Sequence, residues 1–186
     1  MAEAIRVVRV SVEDYLAAER DSPVRHEYVD GELFAMAGAG RAHNALAVNL
    51  TRHLANHLDG GPCRIAASDM KVRPADATRF YYPDLVVSCN DPAEEPDDHV
   101  ETHPTLVAEI LSTSTRETDR REKRFVYQSI ETLREYVLLE QDAREIVVYR
   151  RDGDGWLRLT FGAGDRVAFD SLGFGIDVDA LYRGVI

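Results

Sequence analysis

The run TLVAEIL, Thr105 to Leu111, constrains this chain more than any other stretch. Leu106, Val107, Ala108, Ile110 and Leu111 read as a buried strand, yet the strand carries a carboxylate, Glu109. An ionised carboxylate in such surroundings costs more than a strand can return unless its charge is compensated. The run leads directly into STSTRETDRREKRFVYQSI, where Ser114 can cap a helix and Glu117 can reciprocate from the third position. A buried strand therefore feeds straight into a helix.

Other elements follow from periodicity and punctuation. SVEDYLAAER is a helix with Ser11 as cap and Asp14 at its third position, ended by the turn DSP. RHEYVDGELFAMAG is a hairpin around Asp30-Gly31, since that pair tolerates the positive φ of a tight turn. In GRAHNALAVNLTRHLANHLDGG, Leu46, Leu50 and Leu54 recur at helical spacing until Gly60-Gly61 stops the helix. His43 precedes Leu46 by three residues on the same stripe, so it points inward or into a cleft. Residues 63–73 and 79–88 read as two strands, the second preceded by a turn at Pro74-Ala75-Asp76. EYVLLE, EIVVYRR and WLRLTFG, separated by QDAR and DGDG, predict an antiparallel meander, and VDALYRG a short closing helix. No repeat, low-complexity tract or linker interrupts the 186 residues, so a single domain over 1–186 is expected.

Hydrophobic residues make up 45% and charged residues 30%, the composition of an ordinary globular chain. No apolar run approaches the ~20 residues that span a bilayer, and MAEAIRVVRV lacks a signal-peptide core. A cytoplasmic location with no membrane partner is the expectation. Cys63 and Cys89 stand far apart outside any C-x-x-C pair, so both are read as reduced, small apolar residues. The formal charge of -11 repels a polyanion on average. Much of that acidity lies in DPAEEPDDHVE (91–101), which holds no Lys or Arg and reads as an exposed loop, leaving the local field elsewhere open to phosphate.

A second carboxylate, Asp84, stands in the apolar segment YYPDLVV. Period-two geometry puts Asp84 and Val86 opposite Leu85 and Val87, while Glu109 shares a face with Val107 and Leu111. If the two strands pair, the carboxylates converge. They then repel unless one is protonated or a cation lies between them, and hard oxygen ligands favour magnesium or manganese over zinc. On the following helix Arg116, Asp119, Arg120, Lys123, Tyr127 and Ile130 share one sector, which turns Lys123 back toward the sheet. A lysine there can stabilise charge developing on an attacked phosphorus or hold the attacking water, with Arg116 and Arg120 adding phosphate contacts.

Plainer readings stand beside these. Asp119 and Lys123 have the spacing of an exposed i,i+4 ion pair, a stabilisation of roughly 0.2–0.5 kcal/mol, and Glu109 alone could be a strand-end carboxylate paired with an arginine or with backbone amides. His43 fits a capping role near a helix start. His53 and His57 have zinc-face spacing but no HExxH glutamate or third ligand, so they read as solvent-facing. Tyr127 reads as core with its hydroxyl near the site, and the STST hydroxyls as caps rather than nucleophiles. GDGDGW and AGAG match no nucleotide-binding fingerprint.

In the order YVDG, inward His43, PD, EILSTST and DRREKRFVY, the chain resembles the Uma-two family, a branch of the PD-(D/E)xK restriction-endonuclease-like superfamily, from about Tyr28 to the C-terminal LYRGVI. The resemblance implies an α+β (α/β) domain: a central mixed sheet flanked by helices, with an N-terminal hairpin and a C-terminal antiparallel meander. It also implies that Asp84 and Glu109 bind Mg2+ or Mn2+. The superfamily's lysine falls two residues after the second acid, where this chain has Leu111, and Lys123 matches the position to which that lysine is transferred in the Uma-two branch. Glu27 is the better match, and Glu32 the weaker, for an additional acid near the first hairpin, with His43 in support. The expected activity is metal-dependent hydrolysis of DNA phosphodiester bonds, by a homodimer, since cutting both strands needs two sites. The alternatives are a catalytically inactive nucleic-acid-binding or scaffold protein of the same fold, a nuclease for RNA or for branched or single-stranded DNA, and a structural metal site.

Overall fold

The structure is a computed structural model that describes residues 9–95, 97–112 and 116–186. Helix α1 (Val12–Arg20) begins where the Ser11 side chain accepts the Asp14 amide at 3.1 Å, the predicted cap. Strands β1 (His26–Val29) and β2 (Glu32–Ala35) form the hairpin, with Asp30 at φ 50° and Gly31 at φ 94° supplying the left-handed pair that its tight turn requires. Helix α2 (Arg41–Leu58) then buries Leu46, Leu50 and Leu54.

Each of the next two expected strands is broken in two. Residues 63–73 give β3 (Arg64–Ala67) and β4 (Lys71–Val72), and residues 79–88 give β5 (Arg79–Phe80) and β6 (Leu85–Ser88). The breaks have local causes: Ser68 turns at φ 60°, and Pro83 has no N–H to give a ladder. As a result β4 pairs in parallel with β7 (Val100–Glu101), and β5 joins β1. Strand β7 lies within the acidic segment 91–101, which is therefore not wholly the exposed loop expected. Glu101 is buried against Arg64, and the Glu95 carboxylate accepts the Thr102 amide and hydroxyl, both at 2.7 Å. Pairing inside the protein consumes part of that acidity.

Strand β8 (Leu106–Leu111) is followed not by one regular helix but by α3 (Arg116–Thr118), a π-helical segment (Asp119–Lys123) and α4 (Arg124–Gln128). The proposed Ser114 cap lies outside the described residues; Glu117 pairs instead with Arg121 at 2.9 Å on the surface. The meander is as predicted: β9 (Glu135–Glu140), β10 (Glu145–Asp152) and β11 (Gly155–Gly162). A hairpin of β12 (Arg166–Phe169) and β13 (Phe174–Asp177), which periodicity did not mark, precedes α5 (Val178–Leu181).

The main sheet has the order β11-β10-β9-β8-β6-β3, with β8 parallel to β9 and antiparallel to β6, so it is mixed. On one face α2, α5 and the β12–β13 hairpin cover Leu85, Val87, Leu106, Ala108 and Ile110. On the other, Val126, Tyr127 and Ile130 cover Val86, Val107, Leu111 and Tyr136. Because both faces are covered, every residue of β8 and β9 is buried, and a near-continuous apolar run was the correct sign of a central strand.

The expectation of two reduced cysteines is corrected: Cys63 and Cys89 are joined by a disulfide. The register Arg64↔Ser88 continues by one residue to set Cys63 opposite Cys89 across β3 and β6. Among the described residues no helix is long and apolar enough to cross a membrane.

Candidate active site

The pairing Leu85↔Ala108 brings Asp84 alongside Glu109 where β6 and β8 part. There the Ile110 amide, free of β6, donates to Asp84 Oδ2 at 2.7 Å, which fixes the carboxylate at the strand end. His43, in the first turn of α2, places Nε2 3.2 Å from the same oxygen. Its Nδ1 is buried without a hydrogen-bond partner. The leucine stripe that seats α2 on the sheet thus also aims His43 at Asp84.

Glu109 lies deeper. Its Oε1 accepts the Tyr127 hydroxyl and the Lys123 ammonium, each at 3.2 Å. Lys123 Nζ also lies 2.8 Å from Glu27 Oε1 and 3.2 Å from Asp119 Oδ1, and 5.5 Å from the centre of the Tyr81 ring. The Asp119 contact is an ion pair without hydrogen-bond alignment. Three carboxylates, from β1, β8 and the π-helical segment, therefore surround one ammonium, and Asp84, at the start of β6, stands beside the second of them. Tyr136 donates to the backbone oxygen of Asp119 at 2.9 Å, and Tyr81 to Glu122 at 2.8 Å, pinning the π-helical turn to the sheet. Such turns recur at functional sites because they shift the phase of a helix locally. Here both Asp119 and Lys123 are buried.

The electrostatics follow from burial and crowding. Burial pushes the Glu109 carboxyl well above the usual carboxylate range; Lys123 opposes this, and Asp119, Asp84 and Glu27 add to it. For Lys123, burial works against the ammonium, but Glu109, Glu27 and Asp119 outweigh it and hold its pKa well above the ordinary lysine value. The hydrogen bond to Asp84 raises that of His43. Burial, then the Glu109 charge, raises that of Tyr127, which keeps its proton and donates it.

Asp84, Glu109, Lys123, Glu27 and His43 are therefore brought together, and Tyr127 sits where its role as a core residue with a polar tip would put it. Glu32 stays exposed on β2, away from the cluster. Arg116 and Arg120, expected at phosphates, are half-exposed at the end of β9, where Arg116 lies 2.9 Å from Glu140 and Arg120 pairs with the same carboxylate. His53 and His57 do not converge on a metal: His57 is bonded to the Leu172 carbonyl and His53 lies beside Arg52. The residue that sequence reasoning undervalued is Asp119, read as half of an exposed ion pair. The signal was its place on the Lys123–Tyr127 sector.

Asp84 and Glu109 are the two hard oxygen donors that could share an ion. Among the described residues no group of three His, Cys, Asp or Glu side chains is gathered at ion-binding distances.

The model of the Uma2 family, described as "Putative restriction endonuclease", matches residues 12–180. "Uncharacterized protein slr1290" of Synechocystis sp. is 38% identical over 178 residues, 95% of this chain and 93% of its own length. "Uncharacterized protein sll1609" of the same organism is 33% identical over 148 residues, 79% and 84% of the two lengths. A crystal structure from Anabaena variabilis, described as "a putative nuclease belonging to DUF820", matches with a TM-score of 0.77 over 95% of this chain and 99% of that one. At 14% identity that likeness is one of fold, and the fold is α+β of restriction-endonuclease-like type. The match over nearly the whole length shows that the chain belongs to the Uma2 family.

Proposed function

We propose that the chain is an endonuclease that hydrolyses DNA phosphodiester bonds with a divalent ion, Mg2+ or Mn2+, held by Asp84 and Glu109. The observation that carries this reading is the β6–β8 register, which sets two carboxylates side by side with Lys123 against the second. Magnesium commonly binds through one or two carboxylates and keeps several waters, so this donor pair suits it. The surplus of acid over base in the cluster favours a cation. When bound, the ion would polarise a phosphoryl oxygen and lower the pKa of a water.

The chain's own groups do the rest. The Ile110 amide and His43 orient Asp84; Tyr127 and Lys123 orient Glu109. Lys123 supplies the fixed positive charge for the oxygens of the attacked phosphorus, and Glu27 and Asp119 keep it in place. The side chains of Asp84, Glu27 and His43 are 14–18% exposed, against 5–7% for Glu109 and Lys123, so a substrate meets the former first. Arg116 and Arg120, braced by Glu140, offer their remaining N–H groups to flanking phosphates. A homodimer would bring two such sites to a duplex.

One observation favours the rival reading of a catalytically inactive nucleic-acid-binding or scaffold protein: Lys123 is enclosed by three carboxylates rather than turned to solvent. Cleavage of supercoiled, linear and single-stranded DNA with Mn2+ decides between them, comparing wild type with Asp84→Asn and Glu109→Gln. Cutting by wild type alone is the expected result. Equal cutting by all three would refute the site, and binding without cutting would favour the rival.

A further inference from the structure

Of the chain's 22 cationic residues two are lysines, Lys71 and Lys123, and both are buried. A lysine presents a compact point charge where an arginine presents a planar fork, so the two are not interchangeable among converging carboxylates. Lys123 meets three of them, from three separate elements: Glu27 at 2.8 Å, Glu109 at 3.2 Å and Asp119 at 3.2 Å. This is more negative charge than one ion pair needs. Three carboxylates converge on this one ammonium. The distances are those of ammonium contacts, whereas a bare magnesium would draw its oxygens in to about 2.0–2.1 Å.

Glu109 belongs to two lobes. One contains Asp84, its neighbour across β6 and β8; the other contains Glu27 and Asp119, and Lys123 fills it. Two-ion sites that cleave phosphodiesters place their ions about 3.5–4 Å apart, close enough for one carboxylate to serve both. We propose that this site takes a single divalent cation, in the Asp84–Glu109 lobe, and that the Lys123 ammonium stands in place of a second. The proposal rests on the metal-dependent reading of the site and deepens it: it sets the stoichiometry and gives Asp119 a task, holding the built-in cation.

The test is Mn2+ binding by calorimetry, with paramagnetic resonance to count bound ions and detect coupling between them. Wild type is expected to bind one uncoupled equivalent. Lys123→Ala is expected to bind two, and adding Asp119→Asn to that variant to return it to one. Two equivalents bound to wild type, or no gain on removing Lys123, would overturn the proposal. Should Lys123→Ala not fold, Asp119→Asn alone decides: it keeps the single equivalent if the ion occupies the Asp84 lobe, and its loss would show the ion in the lysine lobe. If wild type binds none while Lys123→Ala binds one, the lysine does stand in for an ion but the metal reading of the wild-type site fails. Binding to neither overturns both.

Discussion

Replacing Lys123 by Met removes one charge while keeping most of the apolar stem, so it isolates what the ammonium contributes to the acid cluster. Its Nζ lies 2.8 Å from Glu27, 3.2 Å from Glu109 and 3.2 Å from Asp119. At an effective dielectric constant of about 20, each 3.2 Å contact is worth about 5 kcal/mol before desolvation is subtracted. Much of that is offset by the cost of burying the charges, and removing one partner of a buried pair has a net cost of about 3–5 kcal/mol. For a chain of this size each kcal/mol moves the melting temperature by about 2–4 °C, so a drop of about 6–20 °C is expected at pH 8 without metal. The loss must also depend on pH. Lys123 is the group that opposes the upward shift of the Glu109 pKa, so without it the folded-state value rises further. A carboxyl whose pKa is raised on folding favours the folded state fully below its unfolded value of about 4.3, and that favour is lost as pH rises through the folded value. The gap between variant and wild type should therefore be small near pH 5 and wide at pH 8. Denaturation of metal-free protein at the two pH values measures it. A loss under about 1 kcal/mol at pH 8, or a gap that does not widen, would mean that the acids are not jointly ionised around Lys123.

Other outcomes follow from single contacts. Glu27→Gln should slow cleavage while Glu32→Ala leaves it unchanged, because Glu27 touches Lys123 and Glu32 is exposed on β2; equal effects would remove Glu27 from the site. The Cys63–Cys89 bridge spans 26 residues, so the double Ser substitution should cost about 3.5 kcal/mol by loop entropy, read as a lower urea midpoint. Native wild type should show no titratable thiol. Leu50→Ala, in the fully buried stripe between α2 and the sheet, should cost about 2–5 kcal/mol, and a cost near zero would mean that α2 is not seated as described.

Much of this protein is local and could be read along the chain. The Asp30-Gly31 hairpin, the Ser11 cap, the leucine stripe of α2 and the central strand around Glu109 each depend on neighbours within a few residues, whose chemistry is visible in order. Errors arose where distant segments meet. The splitting of 63–73 and 79–88 depends on which strand each half finds to pair with, and the Cys63–Cys89 bridge on a register set by β3 and β6. The π-helical turn between α3 and α4 arises where an ideal period of 3.6 would have spread six residues over one sector. Its anchors, Tyr136 and Tyr81, come from other elements.

From the residues themselves came the two acids and the lysine on the following helix, because residue type and period are enough to mark a carboxylate that a buried strand cannot hold uncompensated; the vacancy at Leu111 came from the family resemblance. Only the tertiary structure decided how the charge is compensated. It placed Lys123 within 2.8–3.2 Å of Glu27, Glu109 and Asp119, and His43 at Asp84. The physical reason is that a charge balance is a sum over space: its contributors lie up to 96 positions apart in sequence (Glu27 to Lys123) and meet only when the strands have chosen their partners.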